Sequence, residues 1–420
     1  MNNQHIYILL IIIIGFSSCD LFETNLVQDR SSFIKIYHKN NVNYNSINGD
    51  YLVSTNEGFL LGASLYPEAN DRLNSQTRVS HLGKIIERKD IPSSLTRYKK
   101  IIPSNNNKDF YFLGSSGSQT QADIIRMSLD EIIPTEKLQF DASTSPIDFC
   151  ILPNNHLMVI TKNSFDFPSK LELTYLDENL NIIWEREFAF EDTAFLGLSI
   201  IYEEDTGHFL ILGKNGAQKL FIMEVNEDGN LINTRFFEEF GFEPVSVPAN
   251  TSISYEPTLL NMGTHYMVIE TGRLYLKEDG SPYSSIYQID KDLNNITELE
   301  TNTNFTSVNT VQKLDNEIII NGFLADSTFA IKKLDSNGNL TKWANGEDFV
   351  TFDMNIQELE NESIFDSSPY LGSFNDFFIP GNIVKATDGG YAMIGTYGVF
   401  NGDDFESVVT LFKIRSDGSY

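Results

Sequence analysis

Residues 208–213 read HFLILG, and residues 222–231 read IMEVNEDGNL. The first is a short apolar run ending on glycine, the pattern of a buried strand. The second is an alternating strand that enters a turn of Asn, Asp and Gly. Those residues accept a left-handed backbone and bond to nearby main-chain groups, so the stretch reads as a hairpin.

The pair recurs along the chain. The first signal appears as EGFLLG (57–62), DFYFLG (109–114), HLMVIT (156–161), HFLILG (208–213), HYMVIE (265–270), EIIING (317–322) and GYAMIG (390–395). Successive copies start 52, 47, 52, 57, 52 and 73 residues apart. The second follows each first, as in RVSHLGKI (78–85), LTYLDENLNI (173–182), IKKLDSNGNL (331–340) and FKIRSDGSY (412–420). Self-similarity near 50 residues is the mark of propeller blades. The fold expected is all-β, a seven-bladed β-propeller of four-stranded antiparallel blades.

The last copy stops at Tyr420, just after its turn, so blade seven lacks an outer strand. SSFIKIYHK (31–39) is a spare strand with no blade of its own. Phe33, Ile34, Ile36 and Tyr37 are strong β-formers. Pairing residues 31–38 into the blade built from 382–420 would close the ring and leave no open edge.

Composition agrees with a packed domain: 41% hydrophobic, 21% charged, with 31 Phe and 18 Tyr. The net charge of −28 repels phosphate backbones and argues against nucleic acid as a partner. Ile6 to Phe16 is an apolar stretch too short to span a bilayer as a helix and of the right length for a signal peptide. Ser17, Ser18 and Cys19 follow and resemble a lipobox, in which the cysteine is acylated. The leader lacks Lys and Arg, and Phe16 stands where such motifs usually carry Leu. An ordinary secretory signal cleaved nearby is the competing reading. The organisation expected is a lipoprotein signal peptide (1–18), a polar tether (19–31) and one propeller domain (32–420) carrying an insertion (343–381). Lipidation of Cys19 would bury many methylenes at about 0.8 kcal/mol each and hold the chain at the membrane. Cys150, in the apolar run DFCILP, reads as a buried structural thiol.

KATDGGYAMIGTYG (385–398) and IKKLDSNGNLTKW (331–343) resemble the repeats of bacterial envelope lipoproteins built on DGG(Y/F)…G and (L/I)DxxGN propeller motifs. The likeness covers 31–420. It implies the fold and a lipid-anchored place in the cell envelope, at the outer membrane. It hardly implies an activity, because propellers host many.

Function tends to sit on long loops over a rigid scaffold. The longer connections are 65–76, 235–254, 271–285, 344–381 and 397–407. Their candidate binding residues are Tyr66, Arg72, Arg273, Tyr275, Tyr283, Phe365, Tyr370, Phe374, Phe377, Phe378, Tyr397, Asp403 and Asp404. The aromatics of the insertion suit an anchor patch for a protein or glycan; the simpler reading is that they pack the insertion onto the propeller. His156, His208 and His265 share one repeat position. Neighbouring blades set equivalent atoms roughly 10 Å apart against Zn–N bonds of about 2 Å, so they read as turn residues and no metal is expected. The Asp/Asn turns lack the spaced carboxylates of a calcium loop. No phosphate loop or nucleophile elbow appears, and no cofactor is expected. The favoured function is a binding or scaffold protein for a protein or glycan partner, attached to the membrane through its lipid. The alternative is an envelope enzyme acting on carbohydrate or ester substrates, with Asp403, Asp404 and Glu278 as the first carboxylates to consider.

Overall fold

A computed structural model describes residues 32–39, 44–67, 73–92, 95–116, 121–163, 170–189, 195–215, 219–241, 257–269, 272–273, 275–276, 282–283, 286–299, 305–324, 328–352, 358–361, 370–371, 373–401 and 404–419. They form strands joined by turns and connections, folded as a seven-bladed β-propeller of four-stranded antiparallel blades. Blade one is Tyr44–Thr55, Gly58–Pro67, Leu73–Ser80 and Ile85–Pro92. Blades two to six repeat that meander.

Each apolar signal of the repeat is the second strand of its blade, and in blades one to six each hairpin joins the third strand to the fourth. Burial follows that order. Second and third strands are buried almost throughout, as in Asp109–Ser116, while fourth strands such as Pro134–Gln139 and Ile182–Phe188 are largely exposed. The core divides into seven apolar clusters, one per junction between neighbouring blades. No single centre holds the ring; seven sheet-to-sheet contacts do.

Blade seven is composite, as the strand count requires. Ser373–Lys385, Tyr391–Asn401 and Asp404–Ile414 are its inner strands. Phe33–Lys39 pairs antiparallel with the third, from Phe33 opposite Lys413 to Lys39 opposite Val408. The insertion then covers this strand: Glu358–Asn361 runs parallel to it, with Lys35 opposite Glu360. The unpaired row of donors and acceptors that an outer strand exposes is thus occupied in part.

The start of the insertion belongs to blade six. Its fourth strand is split between Leu340–Thr341 and Val350–Thr351, both paired with Phe329–Leu334. The detour between them carries Trp343, fully buried in the cluster between blades six and seven.

Candidate functional site

The ring encloses a channel of about 500 Å³, within the range of ligand pockets. All seven blades contribute to it through their first strands. A first strand pairs with its blade on one side, so its other edge, covered in blade six by Gly272–Arg273, turns main-chain donors and acceptors towards the channel.

Six of these strands carry a β-bulge at the same height: between Gly49 and Tyr51, Tyr98 and Lys100, Pro146 and Asp148, Gly197 and Ser199, Val308 and Thr310, and Pro380 and Ile383. A bulge re-aims side chains. Here the extra residues Asp50, Lys99, Ile147, Leu198, Asn309 and Asn382 line the channel. The residue paired across from each bulge is the one that closes the repeat's apolar strand: Gly62, Gly114, Thr161, Gly213, Gly322 and Gly395. Gly62 shows why glycine suits the place. A Cβ there would lie 2.0 Å from the Tyr51 ring, which crosses over it.

Residues at the bulges also tie one blade's edge to the next. Asp148 accepts the Ile200 N–H at 2.9 Å and the Lys100 ammonium at 2.6 Å. Ser199 Oγ accepts the Leu259 N–H at 3.2 Å. Asn382 accepts the Leu52 N–H at 2.7 Å and donates to the Leu52 carbonyl at 2.8 Å. Asp50 accepts from the Ser64 hydroxyl. Thr310 Oγ1 is buried without a hydrogen-bond partner beside this belt. Among the described channel residues the carboxylates are Asp50 of blade one and Asp148 of blade three, and both are engaged. The belt suits reversible polar contacts.

The opposite face consists of tight turns. The Asp335 carboxylate accepts the N–H groups of Asn337 and Asn339 at 2.8 and 2.9 Å. Burial pushes its pKa up, but these bonds outweigh it and hold the group below the usual carboxylate range. Glu203 joins blades four and five here. It receives Lys291 at 2.5 Å, the Tyr266 hydroxyl at 2.8 Å and Asn261 at 3.0 Å. Burial raises its pKa, and the Lys291 and Tyr266 bonds reverse the sign to a net lowering. The three histidines begin their second strands at this face, each with a neighbour in its own blade. His156 meets the Tyr175 hydroxyl at 3.1 Å, His208 meets Glu224 at 2.6 Å, and His265 meets the Thr264 hydroxyl at 3.0 Å. Among the described residues, no group of three or more His, Cys, Asp or Glu side chains is placed to hold a metal ion. Cys150 is a buried thiol, pushed up to about 12 by burial.

Cys19, Arg72, Glu278, Phe365 and Asp403 lie outside the described residues. For the other candidate binding residues the backbone is placed. Gly272–Arg273 pairs with the channel-side edge of blade six, Arg273 opposite Ser307, so this excursion of blade five reaches the channel mouth. Tyr275 pairs with Tyr283 in a separate two-stranded piece. Phe374, Phe377 and Phe378 stand on the first strand of blade seven, with Phe378 opposite Tyr397. Tyr66 ends the second strand of blade one, Asp404 begins the third strand of blade seven, and Tyr370 pairs with Leu359 beside the closing strand. The candidates therefore spread over several blades. The bulge belt was missed in the sequence, although the terminal glycine of the repeat is its signal.

No family model matches the chain, and no curated protein matches it. Solved structures resemble it in fold. The β-propeller domain of the Trilobed protease from Pyrococcus furiosus is 10% identical, with a TM-score of 0.46, over 86% of this chain and 95% of that one. A protein of unknown function from Bacteroides caccae is 12% identical, with a TM-score of 0.42, over 69% and 91%. The acylaminoacyl peptidase of Pyrococcus horikoshii is 10% identical, with a TM-score of 0.48, over 86% and 52%, so this chain spans about half of it.

Proposed function

We propose that the protein is a lipid-anchored envelope propeller that binds a protein or glycan partner through the face carrying its long connections. The observation that supports this is a division of labour. The tight turns within hairpins leave from one face, while the chain leaves the other at Gly241, Ile269 and Phe352 and sets out there on its long connections. Long connections on a rigid ring supply contact area that turns of a few residues lack.

The test is photo-crosslinking in intact cells, with the probe placed in turn at Tyr275, Tyr283 and Tyr397 and, as a control, at Asn337 in a tight turn. Adducts from the first three and none from the control are expected, with glycan-array binding to separate the two partner classes. Adducts from Asn337 alone would refute the reading. The anchor is tested separately. Cys19→Ala should move the protein from the membrane pellet to the soluble fraction, and retention in the pellet without detergent would remove lipidation as what holds it.

A further inference from the structure

We infer that the propeller stands at the membrane on its tight-turn rim, with its long connections and channel mouth turned away from the lipid. This rests on the acylation of Cys19 proposed above.

Phe33 pairs with Lys413, two residues before the last tight turn begins at Arg415. Its ring lies against Gly83, where a Cβ would come within 2.6 Å of it, and the Tyr37 hydroxyl donates to the Gly83 carbonyl at 2.7 Å. Gly83 has φ of 74° and sits in the tight turn of blade one. The chain therefore leaves the ring at the tight-turn face.

Twelve residues, 20–31, separate Cys19 from Ser32. A polar chain of that length spans about 20 Å on average as a coil and about 40 Å at full stretch. Strands of eight to ten residues, such as those of blade one, give the ring a thickness of about 30 Å. Reaching the far face requires a nearly taut chain; reaching the near rim requires none of that extension.

The side chains of the rim agree. Ile86, Ile133, Ile182, Ile183, Leu231 and Ile232 are between about two-fifths and one-half exposed, and each follows a tight turn in blades one to four. Single exposed aliphatics are ordinary, but these gather on the rim from which the tether departs. The turn tips of blades one to five carry exposed Glu131, Glu178, Asp228 and Asp292, which outnumber the exposed cations Lys84 and Lys108. An uncharged lipid surface is the occupant that suits both sets, since anionic headgroups would repel the tips.

The experiment uses the full lipidated protein in phosphatidylcholine vesicles containing a headgroup-labelled acceptor dye. Fluorescent donors are attached to Asn337→Cys, in a tight turn, or Ala142→Cys, in the connection between blades two and three. Both positions are exposed, and Cys150 is buried and stays unlabelled. Energy transfer from Asn337→Cys should exceed that from Ala142→Cys several-fold. Extending the tether by about thirty Gly/Ser residues, to a coil span of about 36 Å, should shrink the difference. Equal or reversed transfer in vesicle-bound protein overturns the orientation alone. Failure to bind vesicles, with wild type and Cys19→Ala alike, overturns the anchor and the orientation with it.

Discussion

The junction of blade seven with blade one differs from that of blade four with blade five. Blades four and five follow one another in sequence, and their tight-turn edge is held by an ionic cluster around Glu203. Three strands of blade seven come from the end of the chain, while its outer strand and blade one come from the start. Most of their contacts address main-chain atoms, beside one side-chain pair of Thr387 Oγ1 and the His81 ring at 3.2 Å. Asn382 grips both the N–H and the carbonyl of Leu52, Thr396 Oγ1 accepts the Gly49 N–H at 2.7 Å, Tyr37 donates to Gly83, and Lys413 donates to the His81 carbonyl at 3.2 Å. A bond to the backbone specifies register, because one residue of slip removes it. Where chain connectivity does not bring partners into line, such bonds do so. Where connectivity helps, side chains can pair with side chains.

The largest effect should come from removing the closing strand. Deleting residues 32–39 removes the outer strand of blade seven and takes Tyr37 from the cluster with blade one. Soluble expression should fail, or the melting temperature should drop by more than about 10 °C, given a shift of about 2–4 °C per kcal/mol for larger domains. The counterpart is a circular permutant that links residue 419 to residue 32 and opens the chain at 190–194, between blades three and four. It keeps every strand and should melt within a few degrees of the parent. A permutant that unfolds like the deletion would mean the position of the break matters more than strand pairing.

A smaller effect is expected at Asn382. Asn382→Ala leaves the Leu52 main-chain groups without their partners and should cost about 1–3 kcal/mol in chemical denaturation. Ser199→Ala removes one long bond at the other junction and should cost about 1 kcal/mol or less. Equal losses would undo the claim that the two junctions are held differently.

The subtlest contrast is in acid. The Glu203 pKa is lowered in the folded protein. Its contribution is therefore present above the unfolded-state value of about 4.3 and lost as pH falls through the lower folded value. The backbone-directed bonds at Leu52, Gly49 and Gly83 involve no carboxylate. Hydrogen exchange measured from pH 6 down to pH 3 should show protection at Tyr266 and Met267 falling before protection at Leu52 and Val53. In Glu203→Gln that order should vanish, because the variant has no proton to gain. Simultaneous loss in the parent would show that the junctions open as one.

The repeat, the blade count and the closing strand were legible because each depends on local chemistry. Alternation marks strands, Asp–Asn–Gly runs mark hairpins, and a strand without a blade must pair with a blade without a strand. The split fourth strand of blade six was not legible, since Val350–Thr351 returns to its sheet only after a detour around buried Trp343. Nor was the parallel cover of Glu358–Asn361, which depends on a partner more than three hundred residues away.

The architecture follows from local pattern, because seven copies of it have few other ways to bury their apolar faces. Which residues meet at the centre depends on the assembled ring. Asp148, Ser199 and Asn382 lie in weakly patterned first strands and act across blade boundaries, on Ile200, Leu259 and Leu52. Their role depends on bulges opposite the repeat's terminal residue, which is Thr161 for Asp148 and a glycine for the other two, and on the closing of the ring. Neither property belongs to any one stretch of chain, so the channel exists only once all seven blades are in place.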